Sequence, residues 1–183
     1  QALLDAGQQL AGNPEAKHIT QQVTDVFIKG GGCGLTLGFL IAAFFRAKSS
    51  QMKSISRLAF IPGLFNINEP IIFGLPIVFN PYFILPFIGV PVLALIMTYF
   101  AIVTGFLAPF AAVQVPWTTP PVIAGLLLGG WQGGVVQLAT VAMSAVVYYP
   151  FVRMQDEACC REEHLSAVNA QEAQDKRTVS AEV

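Results

Sequence analysis

Charged residues are absent from nearly all of the middle of this chain. Between Leu58 and Val152 lie 95 residues, and Glu69 is the only Asp, Glu, Lys or Arg among them. Because an ionised side chain loses its hydration in hydrocarbon, a charge-free stretch of this length is typical of several membrane spans of about 20 residues each. The whole chain is 54% hydrophobic and 11% charged, whereas soluble domains carry about 25% charged residues. The sequence therefore predicts an integral membrane protein.

The composition also excludes three other classes of protein. Ten Lys and Arg residues against 11 Asp and Glu leave no excess positive charge to neutralise phosphates, so a nucleic-acid partner is not expected. Three cysteines are too few for a disulfide-rich scaffold. The apolar excess is incompatible with intrinsic disorder over most of the chain.

The first 57 residues divide into three zones. Residues 1–25 are polar to mixed and predict a loop or an interfacial helix. Residues 26–45 form the first apolar span, which contains Lys29 and a glycine cluster at 30–34 that weakens a helix. The cluster indicates either a close helix crossing, which we favour, or a place where a ligand approaches the backbone. Residues 46–57 carry four basic residues and no acidic one, which predicts a cytoplasmic loop.

Eleven of the twelve prolines lie between residues 58 and 152 and divide that region into four segments. Two segments are long enough to span a membrane, namely Tyr82–Leu107, which we expect to kink at two internal prolines, and Val135–Val152. Two others, Phe60–Asn80 and Gln114–Trp131, are interrupted. Because a broken backbone cannot face lipid, such segments lie inside protein or line a wet cavity, and they are the best sequence indication of a transporter's binding site.

These zones predict an all-α integral membrane protein, a polytopic helix bundle with re-entrant segments broken by Pro and Gly. The last zone, residues 154–183, holds seven acidic and three basic residues. We expect it to be a solvated tail, helical near its start and frayed beyond. Two full spans return it to the side of the basic loop, so it is predicted to be cytoplasmic.

Polar residues interrupt the segment IPGLFNINEPIIFGLPIVF, where Asn66, Asn68 and Glu69 lie among apolar side chains. Buried amides and carboxylates are costly unless they bind something polar, and together they suit the hydroxyls of a sugar. The alternative for Glu69 is a structural ion pair, for instance with Lys29. We favour a functional role because acidic residues within membranes are functional by default.

The second broken segment contains the run VPWTTPPV, with Trp117, Thr118 and Thr119. The face of an indole ring suits the apolar C–H face of a pyranose, and threonine hydroxyls provide orientation. An interfacial anchor is an equally good interpretation of Trp117 on spacing alone.

These residues bring the chain close to a known family. The run NINEP followed by IIFGLPIVFNP, with VPWTTPPVIAG downstream, resembles the signature of enzyme IIC, the permease subunit of the sugar phosphotransferase system. The resemblance covers about residues 26–153 and is strongest to the lactose, cellobiose and diacetylchitobiose branch. It implies a homodimer in the bacterial inner membrane, and it suggests that this chain is the C-terminal piece of a longer permease.

The resemblance also implies a function and roles for single residues. A β-linked disaccharide, of the cellobiose or N,N'-diacetylchitobiose type, would bind in the C-terminal transport domain. It would be phosphorylated on its C6 hydroxyl by a cysteinyl phosphate of the cytoplasmic IIB partner. Glu69 would be catalytic, as the base beside the reacting hydroxyl, and Asn68, Glu69 and Trp117 would bind the sugar. No metal and no cofactor are implied, and His18 matches no motif.

Two other functions remain open from the sequence. An ion-coupled secondary sugar transporter would use Glu69 as its proton site and would need no phosphoryl donor. A membrane-embedded enzyme would normally need a second catalytic group, and no His, Asp or Cys lies near Glu69 in the sequence. Detection of a sugar phosphate as the imported product separates the permease from both.

Overall fold

A computed structural model describes residues 23–75, 80–107 and 115–181, with side chains described up to 174 and at 176. Most of the predicted polar segment 1–25, including His18, lies outside these ranges. Within them the chain forms a π-helical turn, a 3₁₀ turn and five α-helices. In order these are the π turn Thr24–Ile28, the 3₁₀ turn Cys33–Leu35, α1 Thr36–Arg46, α2 Ser50–Leu64, α3 Glu69–Gly74, α4 Pro81–Val103 and α5 Pro121–Ala181.

The predicted all-α membrane class is confirmed. No β-strand occurs in the described ranges. Three segments are long and apolar enough to cross a membrane, namely Thr24–Arg46, Pro81–Val103 and Pro121–Gln174. They correspond to the first apolar span and to the two full spans that the sequence predicts.

The first of these segments is interrupted at its glycine cluster. The π turn ends at Ile28, and α1 begins only at Thr36. Gly31 and Gly32 have φ angles of 92° and 90°, which residues with a side chain rarely adopt. A Cβ atom at Gly32 would lie 2.8 Å from the Cβ and Cγ atoms of Asn68, so the glycine permits close packing at this break.

The segment after the basic loop is broken as expected. Helix α2 begins at Ser50, inside the predicted basic loop 46–57, so residues 50–57 are helical and the loop prediction is wrong for them. The helix ends at Leu64, two residues after Pro62, and α3 does not begin until Glu69. The stretch 65–68 between the two helices carries the NIN part of the sequence motif. The break therefore places these polar side chains in a turn between two helices.

Helices α4 and α5 contain the two predicted full spans. Helix α4 covers 23 residues with Pro86 and Pro91 inside it. Helix α5 covers 61 residues and departs from helical geometry at Gly129 and Gly130, within the segment expected to be interrupted. It then continues without a second such departure to Ala181, so the tail is helical much further than the frayed end expected from its sequence.

The main core lies where α1, α4 and α5 meet. Phe39, Phe83 and Tyr148 are fully buried there, and the ring centroid of Phe39 lies 5.2 Å from that of Phe83 and 6.0 Å from that of Tyr148. Both ring pairs meet edge to face, a favourable geometry for aromatic side chains. The outer side of α4 exposes large apolar residues such as Leu85 and Phe100, as expected of a helix facing lipid.

The basic loop and the tail lie at the same end of the bundle. Asp156 of α5 is buried, and its carboxylate accepts hydrogen bonds from the backbone N–H groups of Lys48 and Ser49 at 2.9–3.0 Å. About two helical turns later along α5, Glu163 accepts a hydrogen bond from the N–H of Gln51 at 2.9 Å. These contacts hold the start of α2 against α5.

Candidate functional site

The break between α2 and α3 depends on an asparagine in the left-handed conformation. Asn66 has a φ of 65°, which asparagine adopts more readily than most residues. The turn is closed by the N–H of Ile67, which donates to the carbonyl of Pro62 at 3.0 Å. The side chain of Asn66 is thereby directed away from α2 and toward two other broken segments.

Asn66 joins those two segments through three hydrogen bonds. Its Oδ1 accepts from the N–H of Gly31 at 2.6 Å. Its Nδ2 donates to the carbonyl of Thr119 at 2.9 Å and to the carbonyl of Trp117. Three segments thus meet at one side chain, namely the glycine-rich loop (residues 30–34), the NINE segment (66–69) and the PWTT turn (116–119).

Asn68 is turned into the protein. It is 6% exposed, and its Nδ2 donates to the carbonyl of Cys33 at 2.8 Å. It also packs on Gly32. The structure thus engages its amide nitrogen with the protein backbone, and a direct contact between Asn68 and a sugar stays a prediction.

Glu69 differs from the sequence-based expectation in its burial. As the base of the reaction it was expected to be buried, whereas it is the exposed first residue of the short helix α3. The ion pair with Lys29 is absent, because Lys29 binds Asp25 one turn earlier at 2.9 Å. Within the described ranges the carboxylate of Glu69 has neither a hydrogen bond nor an ion pair. Its catalytic role stays a prediction.

The two tryptophans have similar exposure but different surroundings. Trp117 is 65% exposed and Trp131 is 66% exposed, so exposure does not distinguish a binding residue from an interfacial anchor. Trp131 packs edge to face on Phe106, with ring centroids 5.9 Å apart. Trp117 instead borders a small cavity together with Asn66.

This cavity lies between the glycine-rich loop and the PWTT turn. It is a shallow recess partly open to solvent, and its enclosed part has room for about one water molecule. The residues that line it include Asp25, Gly30, Asn66, Trp117 and Thr119. Its lining combines one aromatic ring with a carboxylate and a hydroxyl-bearing residue, which are kinds of group that contact sugars, whereas the amide of Asn66 is bound to protein backbone.

The long helix α5 satisfies backbone carbonyls that the glycine break leaves free. Gln137 donates to the carbonyl of Val26 at 2.5 Å, Ser144 to that of Leu35 at 3.2 Å, and Tyr148 to that of Gly34 at 2.8 Å. The three donors are seven and four residues apart and so lie on one face of the helix. They explain how a broken segment can be kept at membrane depth.

Two features of this site were missed by the sequence interpretation. Asp25 was assigned to a polar terminal zone, although its spacing of four from Lys29 was a signal for one helical face. The face of Gln137, Ser144 and Tyr148 was assigned only to a spanning helix. Its signal was the presence of three hydrogen-bonding side chains at heptad spacing in an apolar run.

Broken helices that meet around polar side chains inside an apolar bundle define a transporter class of membrane protein. Residues 1–91 match the family model described as "Phosphotransferase system, EIIC". The chain is 47% identical over 156 residues to the lichenan permease IIC component of Bacillus subtilis (strain 168), covering 84% of this chain and 34% of that protein. It is 47% identical over 156 residues to the cellobiose-specific EIIC component of Geobacillus stearothermophilus, covering 82% and 35%.

A solved structure agrees with these relatives. The fold is similar to that of ChbC, the IIC component of the N,N'-diacetylchitobiose-specific phosphotransferase system, with a TM-score of 0.80 and 39% identity, covering 89% of this chain and 37% of that one. The chain belongs to the EIIC family of the phosphotransferase system, which confirms the predicted resemblance. It spans about a third of the length of the curated relatives that it matches.

Proposed function

We propose that this chain supplies part of the sugar-binding transport domain of a phosphotransferase permease that imports a β-linked disaccharide. The observation that carries the proposal is the meeting of three broken segments at Asn66, beside a cavity bordered by Trp117. The relatives named for cellobiose and N,N'-diacetylchitobiose support a substrate of that type. The partner is the phosphorylated IIB component, which delivers the phosphoryl group to the C6 hydroxyl of the sugar.

In this proposal the carboxylate of Glu69 accepts a hydrogen bond from the sugar hydroxyl that is phosphorylated. Its carboxylate is exposed and makes no ion pair within the described chain, so it is available to accept a hydrogen bond from a sugar. The sugar oxygen forms a bond to phosphorus, the bond between phosphorus and the sulfur of IIB breaks, and the proton of the hydroxyl passes to Glu69. A base must lie within hydrogen-bond reach of the proton that it removes.

The test is Glu69→Gln in the full-length permease, because glutamine keeps the volume and loses the basicity. We expect sugar binding to weaken only about threefold while phosphorylation by IIB falls by at least about a hundredfold, the usual range for a lost general base. Glu157→Gln is the matched control, because Glu157 is exposed and forms a surface ion pair with Arg153. Wild-type phosphorylation rates in Glu69→Gln would rule out a chemical role for Glu69.

The same assay separates the proposal from an ion-coupled transporter. A permease of the proposed kind delivers sugar phosphate, and uptake needs phosphorylated IIB. A secondary transporter would deliver free sugar in the absence of IIB, and its uptake would follow the proton gradient. The second result would overturn the proposed function.

Substrate binding is tested by comparing the two tryptophans. We expect Trp117→Ala to weaken disaccharide binding by about 1–3 kcal/mol, by analogy with other stacking sites. Trp131→Ala should change it much less, because Trp131 rests on Phe106 and is absent from the lining of the cavity. Equal losses in folded protein would contradict the assignment of Trp117.

The proposal includes a topology and an assembly. The basic segment 46–57 lies beside the tail, and its four basic residues without an acidic one favour a cytoplasmic position for both. A cysteine introduced at exposed Ser50 should resist a membrane-impermeant thiol reagent in intact cells, and rapid labelling would contradict this orientation.

We further propose a homodimer in the bacterial inner membrane, which the mass of the detergent-solubilised full-length protein tests.

A further inference from the structure

Within the described part of the chain, the side chain of Trp117 has no aromatic neighbour that fixes its ring. Trp131 packs on Phe106, but no such ring pair involves Trp117. The position of Trp117 therefore depends on its backbone. That backbone belongs to a short turn that precedes helix α5, in which the N–H of Thr119 donates to the carbonyl of Pro116 at 3.0 Å.

The side chain of Asn66 hydrogen-bonds this turn to the rest of the protein. Nδ2 of Asn66 donates to the carbonyls of Trp117 and Thr119, one on each side of Thr118. Its Oδ1 accepts a hydrogen bond from the N–H of Gly31 at 2.6 Å. Both N–H donors of the amide are therefore engaged with protein backbone, which leaves little capacity for a direct bond to a ligand.

We propose that Asn66 is a positioning residue for sugar binding: it sets the ring of Trp117 against the sugar and ties that ring to the glycine-rich loop. This inference rests on the proposed function. The contrast with Glu69, whose carboxylate is exposed and unpaired within the described chain, separates the two roles. Glu69 is free to meet the substrate, whereas Asn66 acts through Trp117.

The substitution that isolates this role is Asn66→Asp. Aspartate keeps the oxygen that accepts from Gly31 and tolerates the positive φ of this position, but it cannot donate to the two carbonyls. Asn80→Asp is the matched control. Asn80 uses its oxygen to cap Tyr82 at 3.0 Å and its nitrogen to bind Gln155 at 2.7 Å, so the same change removes one donor bond away from the cavity.

The measurements are KM for the disaccharide and kcat for phosphorylation by IIB, in the full-length permease. We expect Asn66→Asp to raise KM about tenfold and to change kcat less than about twofold, since each lost hydrogen bond contributes modestly and the chemistry is untouched. Asn80→Asp should leave both values within about twofold of wild type. A wild-type KM in Asn66→Asp would overturn the inference while leaving the proposed function intact.

A double-mutant cycle with Trp117→Ala distinguishes positioning from direct contact and from general destabilisation. If Asn66 acts through Trp117, then Asn66→Asp should add less than about a twofold loss of binding once Trp117 is absent. Full additivity would overturn the proposal. If Asn66→Asp fails to fold, Asn66→Gly replaces it, because glycine accepts the positive φ and should give the same coupled rise in KM. If wild-type permease neither binds nor phosphorylates a β-linked disaccharide, the proposed function itself fails.

Discussion

The two ends of helix α2 are stabilised by different chemistry. At its start, the backbone N–H groups of Lys48, Ser49 and Gln51 are bound by the carboxylates of Asp156 and Glu163. Beyond its end, the neutral side-chain amides of Asn66 and Asn68 bind backbone groups of the glycine-rich loop and of the PWTT turn. The ends lie about 22 Å apart, at 1.5 Å per residue of helix.

The difference follows from the surroundings of each end. The start of α2 lies among the charged residues of the loop and the tail, where the carboxylates of buried Asp156 and exposed Glu163 complement the positive end of the helix dipole. The other end lies in the long stretch where Glu69 is the only charged residue. There a neutral amide provides both donor and acceptor without the free-energy cost of an unpaired ion in hydrocarbon. Glu69 is the exception, which is the reason for giving it a functional role.

The largest effect is expected where the amide-bound end is packed most closely. Gly32→Ala would place a Cβ 2.8 Å from the Cβ and Cγ of Asn68, at a φ of 90°. A positive φ costs a residue with a side chain about 1–2 kcal/mol and overpacking costs about 1–3 kcal/mol, so we expect the free energy of unfolding to fall by about 2–5 kcal/mol. Unfolding of the full-length protein in detergent measures this.

Gly89→Ala is the matched control for that change. Gly89 lies within α4, and a Cβ there would meet no atom within 4 Å. Alanine also has the higher helix propensity, so stability should be unchanged or raised by up to about 1 kcal/mol. Equal destabilisation by both substitutions would mean that the packing of Asn68 on Gly32 does not limit stability.

A smaller effect is expected at the charged end. Asp156→Ala removes the carboxylate that accepts hydrogen bonds from the backbone N–H groups of Lys48 and Ser49. The N–H of buried Ser49 then loses its acceptor. Hydrogen bonds to an ionised group contribute about 1.5–3 kcal/mol, so the free energy of unfolding should fall by about 2–3 kcal/mol. Its neighbour Glu157 pairs only with exposed Arg153, and Glu157→Gln should change stability by less than about 0.5 kcal/mol. Similar values for the two variants would show that the carboxylate cap of α2 is not stabilising.

Much of the fold was predictable because the bilayer imposes strict rules on composition. The absence of charge set the limits of the membrane region, and prolines and glycines marked where its segments break. The predicted broken segments Phe60–Asn80 and Gln114–Trp131 are interrupted in the described residues, at 65–68 and at Gly129–Gly130. These predictions needed only local sequence, because the cost of charge and of unpaired backbone acts at each residue separately.

The contacts within the candidate site were not predictable in the same way. Asn66 and Asn68 are equally polar and two residues apart in sequence, yet Asn66 binds both the PWTT turn and the glycine-rich loop, whereas Asn68 binds the loop. That difference arises from the positive φ of Asn66, which depends on how α2 ends. The exposure of Glu69 likewise depends on the short helix that it begins. Both depend on tertiary packing, which one sequence does not reveal.

The smallest predicted effect concerns a neutral donor in the apolar region. Tyr148→Phe removes the hydroxyl that donates to the carbonyl of Gly34 at 2.8 Å and keeps the ring that packs on Phe39. We expect a loss of about 1 kcal/mol, because hydrogen bonds between membrane segments contribute modestly when the unfolded state also finds partners. The adjacent Tyr149 is 46% exposed, so Tyr149→Phe should change stability by less than about 0.5 kcal/mol. If Tyr148→Phe lowered the free energy of unfolding as much as Asp156→Ala does, neutral and ionised side chains would stabilise exposed ends and breaks of the backbone equally well. The two ends of α2 would then differ in chemistry but not in the stability that each kind of group contributes.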